Sequence, residues 1–131
     1  MIVGIGTDIV AVARIARSLD RHGERFAKRI LSDGEFVTFS SHVRPAHFLA
    51  KRFAAKEALV KALGCGFRDG ISMGHIEVEN DHLGKPYLVL KEAAAARAEL
   101  LGVDQLMLSL ADEDAYAVAY VVAEKSTFGK C

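Results

Sequence analysis

Two carboxylates, Asp8 and Glu57, occur in sequence contexts that are compatible with metal binding. Asp8 follows a short apolar run, residues 2–5, and a Gly-x-Gly segment, while Glu57 lies in an apolar stretch four residues before Lys61. Magnesium usually takes one or two protein carboxylates, and water and substrate phosphates supply its other ligands. If the fold brings Asp8 and Glu57 together, they form a pair of this kind, with Lys61 as a neighbouring cation.

Each of these residues also has a purely structural interpretation. Asp8 is of the residue type that caps a helix, and a helix is predicted to begin near residue 11. Glu57 and Lys61 have the spacing of a surface ion pair on a helix. The Gly-x-Gly segment is weak evidence for a phosphate loop, because no third glycine and no Lys-Ser or Lys-Thr follows it. Spacing alone leaves both interpretations open.

The helix predicted over residues 45–63 has no clean polar face. Pro45 suits its first position, and Gly64 suits the position just past its end. At about 100° per residue, Arg52 and Lys56 fall inside the stripe of large apolar side chains. The opposite side, where a solvated helix would carry charges, holds alanines instead: Ala50, Ala54, Ala58 and Ala62. Some of these charges must therefore pair with the protein, a partner or a ligand.

The rest of the chain predicts helices first and hairpins later. Ser32 and Glu35 have the spacing of a capping box at the start of a short helix. In order, we expect a strand at 2–5 entering a tight turn at Gly4-x-Gly6, helices at 11–20, about 26–30, 35–39 and 45–63, strands at 76–78 and 87–90, a helix at 91–101, and strands at 106–110 and 116–122. This order is typical of an α+β domain in which helices pack on an antiparallel sheet.

The last predicted strand is apolar on both faces. One face carries Tyr116, Val118, Tyr120 and Val122, and the other carries alanines. The alanine face predicts a closely packed helix. A solvated antiparallel strand would be polar on one face, so the aromatic face predicts either cover from the same subunit or contact with another subunit.

Composition narrows the class of protein. The 131 residues fit a single domain, 1–131, and the chain is 51% hydrophobic with 17 basic and 17 acidic residues. Zero net charge argues against a nucleic-acid binder or a polybasic membrane binder. No signal peptide, membrane-spanning run or histidine metal spacing is visible. Cys65 and Cys131 are expected to be free thiols. We expect a cytoplasmic protein.

Four segments, taken together, resemble one family. Residues 4–10, GIGTDIV, followed by Arg14-Ile15, are similar to the opening of the holo-[acyl-carrier-protein] synthases. Residues 52–64, RFAAKEALVKALG, resemble the signature helix of that family, and residues 80–86, NDHLGKP, resemble its third motif. Residues 116–119, YAVA, resemble its closing strand. The segments occur in the family's order over nearly the whole chain.

The resemblance implies a fold, an activity and an assembly. It implies the 4′-phosphopantetheinyl transferase fold and a magnesium-dependent enzyme. Such enzymes transfer 4′-phosphopantetheine from coenzyme A to a serine of apo acyl carrier protein and release adenosine 3′,5′-bisphosphate. It also implies a homotrimer with active sites between neighbouring subunits.

The resemblance also implies roles for individual residues. Asp8 and Glu57 would bind the metal, and Lys61 would lie near the phosphates, so these three form the implied catalytic set. Arg14 would help to bind the acidic carrier protein. The implied coenzyme A contacts, besides Lys61, are Arg52, Gly64, Lys85 and Pro86.

One departure from the family is visible. Many members have Ser-His or Thr-His where this chain has Ala111-Asp112. Asp112 is not a cation at neutral pH, so a role given to that histidine does not transfer here. The candidates for the base that deprotonates the serine are Asp8, Glu57 and a water on the metal. The alternative functions are another magnesium-dependent phosphotransferase or hydrolase, and a carrier-protein-binding module without catalysis.

Overall fold

The computed structural model describes residues 1–127, so Cys131 lies outside the described part. The elements follow the predicted order of helices and then hairpins. They are β1 Ile2–Ala11, α1 Val12–His22, α2 Glu24–Ile30, α3 Asp33–Ser40, α4 Pro45–Ala62, a 3-10 turn Met73–His75, β2 Ile76–Asn80, β3 Pro86–Leu90, α5 Glu92–Leu101, β4 Gln105–Asp112 and β5 Tyr116–Glu124. Within residues 1–127, none of the helices is both long and apolar enough to cross a membrane.

The strands form two antiparallel sheets. In the larger sheet β5 lies between β1 and β4, and β2 and β3 form a separate hairpin. The pairing of β5 sets Asp8 opposite Ala119 and Thr7 opposite Tyr120. The C-terminal hairpin was predicted, whereas the pairing of β1 with β5 was not.

The glycines of β1 lie inside the strand, so the predicted tight turn at Gly4-x-Gly6 is wrong. A Cβ atom at Gly4 would lie 1.9 Å from the Ala62 carbonyl oxygen, and one at Gly6 would lie 1.9 Å from that of Ala58. The glycines are needed because the α4 backbone packs directly on the strand. This close approach explains the alanine side of α4, whose members are buried.

The larger sheet has one covered face and one open face. The covered face includes Ala117, Ala119 and Val121, which are fully buried under α4. The open face consists of alternate residues of β1, β5 and β4. Its most exposed apolar members include Ile5, Ile9, Tyr116 and Tyr120, with exposed fractions of 57%, 63%, 51% and 44%. The predicted division of β5 into two apolar faces is therefore confirmed, and nothing within residues 1–127 covers the aromatic one.

Candidate active site

Asp8 lies in β1 on the face that packs against α4. Lys61 of α4 donates hydrogen bonds to Asp8 Oδ1 at 3.1 Å and to the carbonyl oxygen of Thr7 at 3.0 Å. The capping interpretation of Asp8 is wrong, because Ala11 occupies the position before α1 and no side chain caps that helix. The structure therefore brings together two of the predicted catalytic residues from distant segments.

Glu57 lies close to this pair. Burial raises the pKa of its carboxyl, and the nearby negative charge of Asp8 raises it further, while Lys61 and Arg14 act in the opposite direction. A carboxylate whose ionisation is disfavoured by burial and by a neighbouring carboxylate is a typical environment for a bound cation. The surface ion pair considered for Glu57 and Lys61 is not the observed pairing, because Lys61 forms its ion pair with Asp8.

The second oxygen of Asp8 lacks a hydrogen-bond partner. Oδ2 is buried and accepts no hydrogen bond from any described residue, although a buried carboxylate oxygen normally has a donor or a cation beside it. No cluster of three or more His, Cys, Asp or Glu side chains within residues 1–127 could hold a metal. The site fits a hard divalent cation that takes two carboxylates from the protein and other oxygens from its substrate.

Arg14 borders the same site from α1. Its guanidinium lies 5.7 Å from the centre of the Phe53 ring. Its positive charge is close enough to Glu57 to oppose the rise in the pKa of that carboxyl. Arg17 and Arg21, further along α1, line one shallow pocket together with Arg14. The predicted carrier-protein residue therefore belongs to a basic surface next to the two carboxylates.

Arg52 and Lys56 are buried and paired, as the pattern of α4 required. Lys56 Nζ lies 2.6 Å from Glu35 Oε1, and Arg52 Nε lies 3.9 Å from Glu35 Oε2. Burial lowers the pKa of both cations, and the Glu35 charge opposes this shift. The predicted capping box of Ser32 and Glu35 is confirmed. The sequence did not predict that Glu35 is also the counter-ion of Arg52 and Lys56. The prediction that charges of α4 need partners was the signal that could have led to it.

Lys85 is the last residue of the turn between β2 and β3, and Pro86 is the first residue of β3. This turn is connected to Arg52. Asp81 Oδ1 accepts a hydrogen bond from the Lys85 backbone N–H at 2.9 Å. Asn80, at the end of β2, donates to the Gly84 carbonyl oxygen and accepts from Arg52 Nη2 at 3.4 Å. The structure thus brings Arg52 close to the predicted coenzyme A turn.

Gly64 lies just past the end of α4, where the sequence placed it. Its φ of +69° is left-handed, and its N–H donates to the Lys61 carbonyl oxygen at 3.0 Å. Arg97 of α5 donates to the Leu63 carbonyl oxygen and so supplies a positive charge to the negative end of the helix. Gly64 therefore sets the direction of the chain directly after the turn that carries Lys61.

Asp112, the departure from the family pattern, has a partner on α4. Its Oδ1 lies 3.8 Å from Lys51 Nζ. Asp114, two residues further on, pairs with Arg44 at 3.3 Å. Asp112 and Asp114 therefore lie next to basic side chains from the N-terminal half of α4 and the residue before it.

The predicted site residues fall into two groups on different sides of α4. Arg52 and Glu57 are five residues apart, so at about 100° per residue their directions differ by about 140°. Asp8, Glu57, Lys61 and Arg14 form the carboxylate group. Arg52, Lys85 and Pro86 form the second group. Arg52 lines a cavity of about 250 Å³ between α3, α4 and β2, and Asn80, which lines the same cavity, pairs with Pro86.

Comparison with known proteins places the chain in a family. Residues 4–121 match the model of the 4′-phosphopantetheinyl transferase superfamily. The holo-[acyl-carrier-protein] synthase of Halorhodospira halophila is 57% identical over 122 residues, which cover 93% of this chain and 97% of the relative.

Solved structures agree with this sequence match. The crystal structure of holo-[acyl-carrier-protein] synthase from Neisseria meningitidis has a TM-score of 0.90 and 45% identity, covering 95% of this chain and 100% of the other. The structure from Bacillus anthracis, a complex with CoA (3′,5′-ADP), has a TM-score of 0.81 and 39% identity, covering 96% and 99%.

The chain belongs to the 4′-phosphopantetheinyl transferase superfamily. Within it, the similar proteins described above are holo-[acyl-carrier-protein] synthases, and the resemblance found in the sequence to that group is confirmed. The predicted α+β fold, with helices on an antiparallel sheet, is also confirmed.

Proposed function

We propose that this chain transfers 4′-phosphopantetheine from coenzyme A to a serine of apo acyl carrier protein and releases adenosine 3′,5′-bisphosphate. Its family membership supports a phosphopantetheinyl transfer reaction. The names of its relatives support the carrier protein as acceptor, and the coenzyme A complex of the Bacillus anthracis relative supports the donor.

One observation in the structure carries this proposal. The Asp8 carboxylate has one oxygen bonded to Lys61 and one buried oxygen without a donor, next to a second carboxylate whose pKa is raised. This arrangement suits a cation and a phosphate, because the cation satisfies the carboxylates and the lysine faces the phosphate. A purely structural site would pair both carboxylates with donors of the protein.

Asp8 and Glu57 are proposed to hold magnesium. When bound, the ion would neutralise the negative charge that develops on the phosphate of the leaving adenosine 3′,5′-bisphosphate. Lys61 adds a fixed positive charge at the same place and keeps Asp8 oriented. Positioned charges of this kind stabilise the transition state without reorganisation of solvent.

Coenzyme A is proposed to contact Arg52, Lys61, Gly64, Lys85 and Pro86. Arg52 presents a planar guanidinium, which suits phosphate oxygens. Asn80 bonds to Arg52 and to Gly84 and pairs with Pro86, so it keeps Lys85 and Pro86 near the guanidinium. Arg14 is proposed to bind the carrier protein, since it belongs to an exposed basic surface beside the carboxylates.

The active enzyme is proposed to be a homotrimer. The open sheet face is apolar and uncovered within residues 1–127, which is typical of an association surface. The two groups of site residues point in different directions from α4, so a neighbouring subunit can bring its second group to the carboxylate group of the first. We also propose a cytoplasmic location, supported by the free thiol of Cys65.

The function is tested by mass spectrometry of the acceptor. Apo acyl carrier protein is incubated with this protein, coenzyme A and magnesium, and its intact mass should increase by one phosphopantetheine group. An acceptor variant in which the modified serine is replaced by alanine should stay unchanged. An unmodified wild-type acceptor, with hydrolysis of coenzyme A or none, would reject the proposal in favour of a hydrolase or a non-catalytic binding module.

A further inference from the structure

One buried carboxylate, Glu35, is shared by two buried cations of α4. The exposed fractions of Glu35, Arg52 and Lys56 are 4%, 8% and 0%. Lys56 bonds to Oε1, and Arg52 lies next to Oε2. A buried charge without a partner is costly, so both cations depend on this one side chain, and each uses a different oxygen of it.

The backbone holds the Glu35 carboxylate in place. Oε1 accepts a hydrogen bond from the Ser32 N–H at 2.9 Å, and Oε2 accepts one from the Val78 N–H at 2.8 Å. These donors belong to the start of α3 and to β2. These two hydrogen bonds hold the Glu35 carboxylate in one position, and the Arg52 guanidinium lies beside it.

Arg52 has few other polar contacts. Its Nη2 donates to Asn80 at 3.4 Å, its guanidinium lies 4.4 Å from the centre of the Phe48 ring, and its Nε has no hydrogen-bond partner among the described residues. The same side chain lines the cavity between α3, α4 and β2. Glu35 is thus the charged group that determines how the guanidinium lies at the cavity wall.

We infer that Glu35 is a positioning residue for the donor substrate, holding the Arg52 guanidinium in the orientation in which it meets the anionic part of coenzyme A. This inference rests on the proposed function, which places Arg52 at coenzyme A. It predicts that loss of the Glu35 carboxylate raises the KM for coenzyme A. The KM for the carrier protein and the metal site should be unaffected.

A merely structural role of Glu35 is separable from this one. Lys56 also donates to the carbonyl oxygens of Ile30 and Met73, and it does not line the cavity. The variant Lys56→Met removes the structural cation and leaves a neutral pair of Glu35 and Arg52. The double variant Glu35→Gln/Lys56→Met differs from it only in the carboxylate, and it avoids leaving two buried cations unpaired.

The test compares the steady-state kinetics of these two variants. We expect the double variant to have a KM for coenzyme A about tenfold above that of Lys56→Met, the size expected from loss of one charge-assisted interaction. The KM for the carrier protein and the kcat at saturating coenzyme A should agree within about twofold. Equal KM values for coenzyme A in the two variants would overturn the inference.

Variants that lack Arg52 test whether Glu35 acts through Arg52. In Arg52→Ala protein, adding Glu35→Gln/Lys56→Met should raise the KM for coenzyme A no further, since the group to be positioned is gone. A further increase would show that Glu35 acts by another route and would overturn the inference. Glu99→Gln is the control, because Glu99 is exposed on α5 and does not line the cavity, and it should not raise this KM.

Folding is checked by circular dichroism and thermal denaturation. If the double variant does not fold, Glu35→Asp in the Lys56→Met background replaces it, because this change keeps the charge and withdraws it from Arg52. An increased KM for coenzyme A is again expected, and an unchanged one overturns the inference. Wild-type protein that does not use coenzyme A would instead contradict the proposed function itself.

Discussion

Lys61 donates a hydrogen bond to Asp8 over 3.1 Å, although 53 residues separate them in the chain. The contact is possible because α4 lies on β1 with no side chain between the two backbones at Gly4 and Gly6. The candidate catalytic group therefore depends on the packing of a helix on a strand as much as on its own charges.

Removing either carboxylate should nearly abolish transfer. Asp8→Ala and Glu57→Ala each delete one proposed metal ligand, and we expect turnover to fall by about 10²-fold or more at any magnesium concentration. Mass spectrometry of the acceptor measures the rate, and circular dichroism checks the fold. Glu99→Gln, in an exposed position of α5, is the control and should keep wild-type activity. Near wild-type turnover of either alanine variant at saturating magnesium contradicts the metal assignment.

Magnesium should bind more weakly as the pH falls. The pKa of Glu57 is raised above its ordinary value by burial and by Asp8, so a proton competes with the metal at this carboxylate. We expect the magnesium concentration for half-maximal activity to rise as the pH is lowered from the alkaline side towards the raised pKa of Glu57. A magnesium requirement that does not change as the pH is lowered contradicts the assignment of Glu57 as a ligand.

The same shift has a consequence for stability. A carboxyl whose folded-state pKa is raised favours folding below its unfolded-state pKa, and this contribution is lost as the pH rises through the folded-state pKa. At neutral pH the ionised Glu57 beside Asp8 therefore costs stability without metal. Magnesium should increase the melting temperature at neutral pH more than in acid, and Glu57→Gln should remove most of this increase.

Reversing the charge of Arg14 should weaken the binding of the carrier protein more than the binding of coenzyme A. Arg14→Glu places a negative charge on the basic surface of α1, and carrier proteins are acidic. We expect the KM for the carrier protein to rise about tenfold or more, with an effect that shrinks in added salt. Lys125→Glu, an exposed change at the opposite end of the sheet, should have little effect. An equal change in the KM of both substrates would rule out this role for Arg14.

Filling the space at Gly6 should separate the strand from the helix. In Gly6→Ala the new Cβ would lie 1.9 Å from the Ala58 carbonyl oxygen, so β1 and α4 must move apart, at a cost of about 1–3 kcal/mol or more. The melting temperature should fall, and activity should fall further because Asp8 moves away from Glu57. Gly74→Ala is the matched control, since its Cβ would meet only the Ser72 hydroxyl oxygen, at 3.8 Å. Unchanged activity of Gly6→Ala would refute this account of how Asp8 is placed.

A charge on the open sheet face should dissociate the proposed trimer. Light scattering of the wild-type protein should give about three times the mass of one chain, and Tyr120→Glu or Val122→Glu should reduce it with the secondary structure retained. Val37→Glu, at an exposed apolar position of α3, should keep the trimer. A monomeric wild-type protein refutes the assembly, and a trimer unaffected by both changes removes β5 from the interface.

The sequence predicted local structure well because its signals are local. Pro45 and Gly64 bounded α4, and alternation along 116–122 separated the two faces of β5, as observed. The pattern also predicted that charges within α4 need partners, which holds for Arg52 and Lys56. That residues 1–131 form a single domain stays a prediction.

The failures concern residues whose partners are distant in the chain. Gly4 and Gly6 indicated a turn, because nothing near them in sequence shows that Ala58 and Ala62 approach the strand. Helix capping by Asp8 was plausible for the same reason, since its actual neighbour is Lys61. The sequence offered Asp8 and Glu57 as a possible metal pair but left open whether they meet, because spacing along the chain does not reveal which carboxylates meet in space. The coenzyme A residues came from family resemblance alone.

The position of β1 at the edge of the larger sheet affects how the protein can fold during synthesis. Its only neighbour in that sheet is β5, the last strand of the described chain to be translated. Until residues 116–124 leave the ribosome, β1 exposes unpaired backbone groups and can pair with other chains. Asp8 therefore gains its sheet partner, Ala119, only after β5 is in place, so an incomplete nascent chain carries this proposed metal ligand on an unpaired strand.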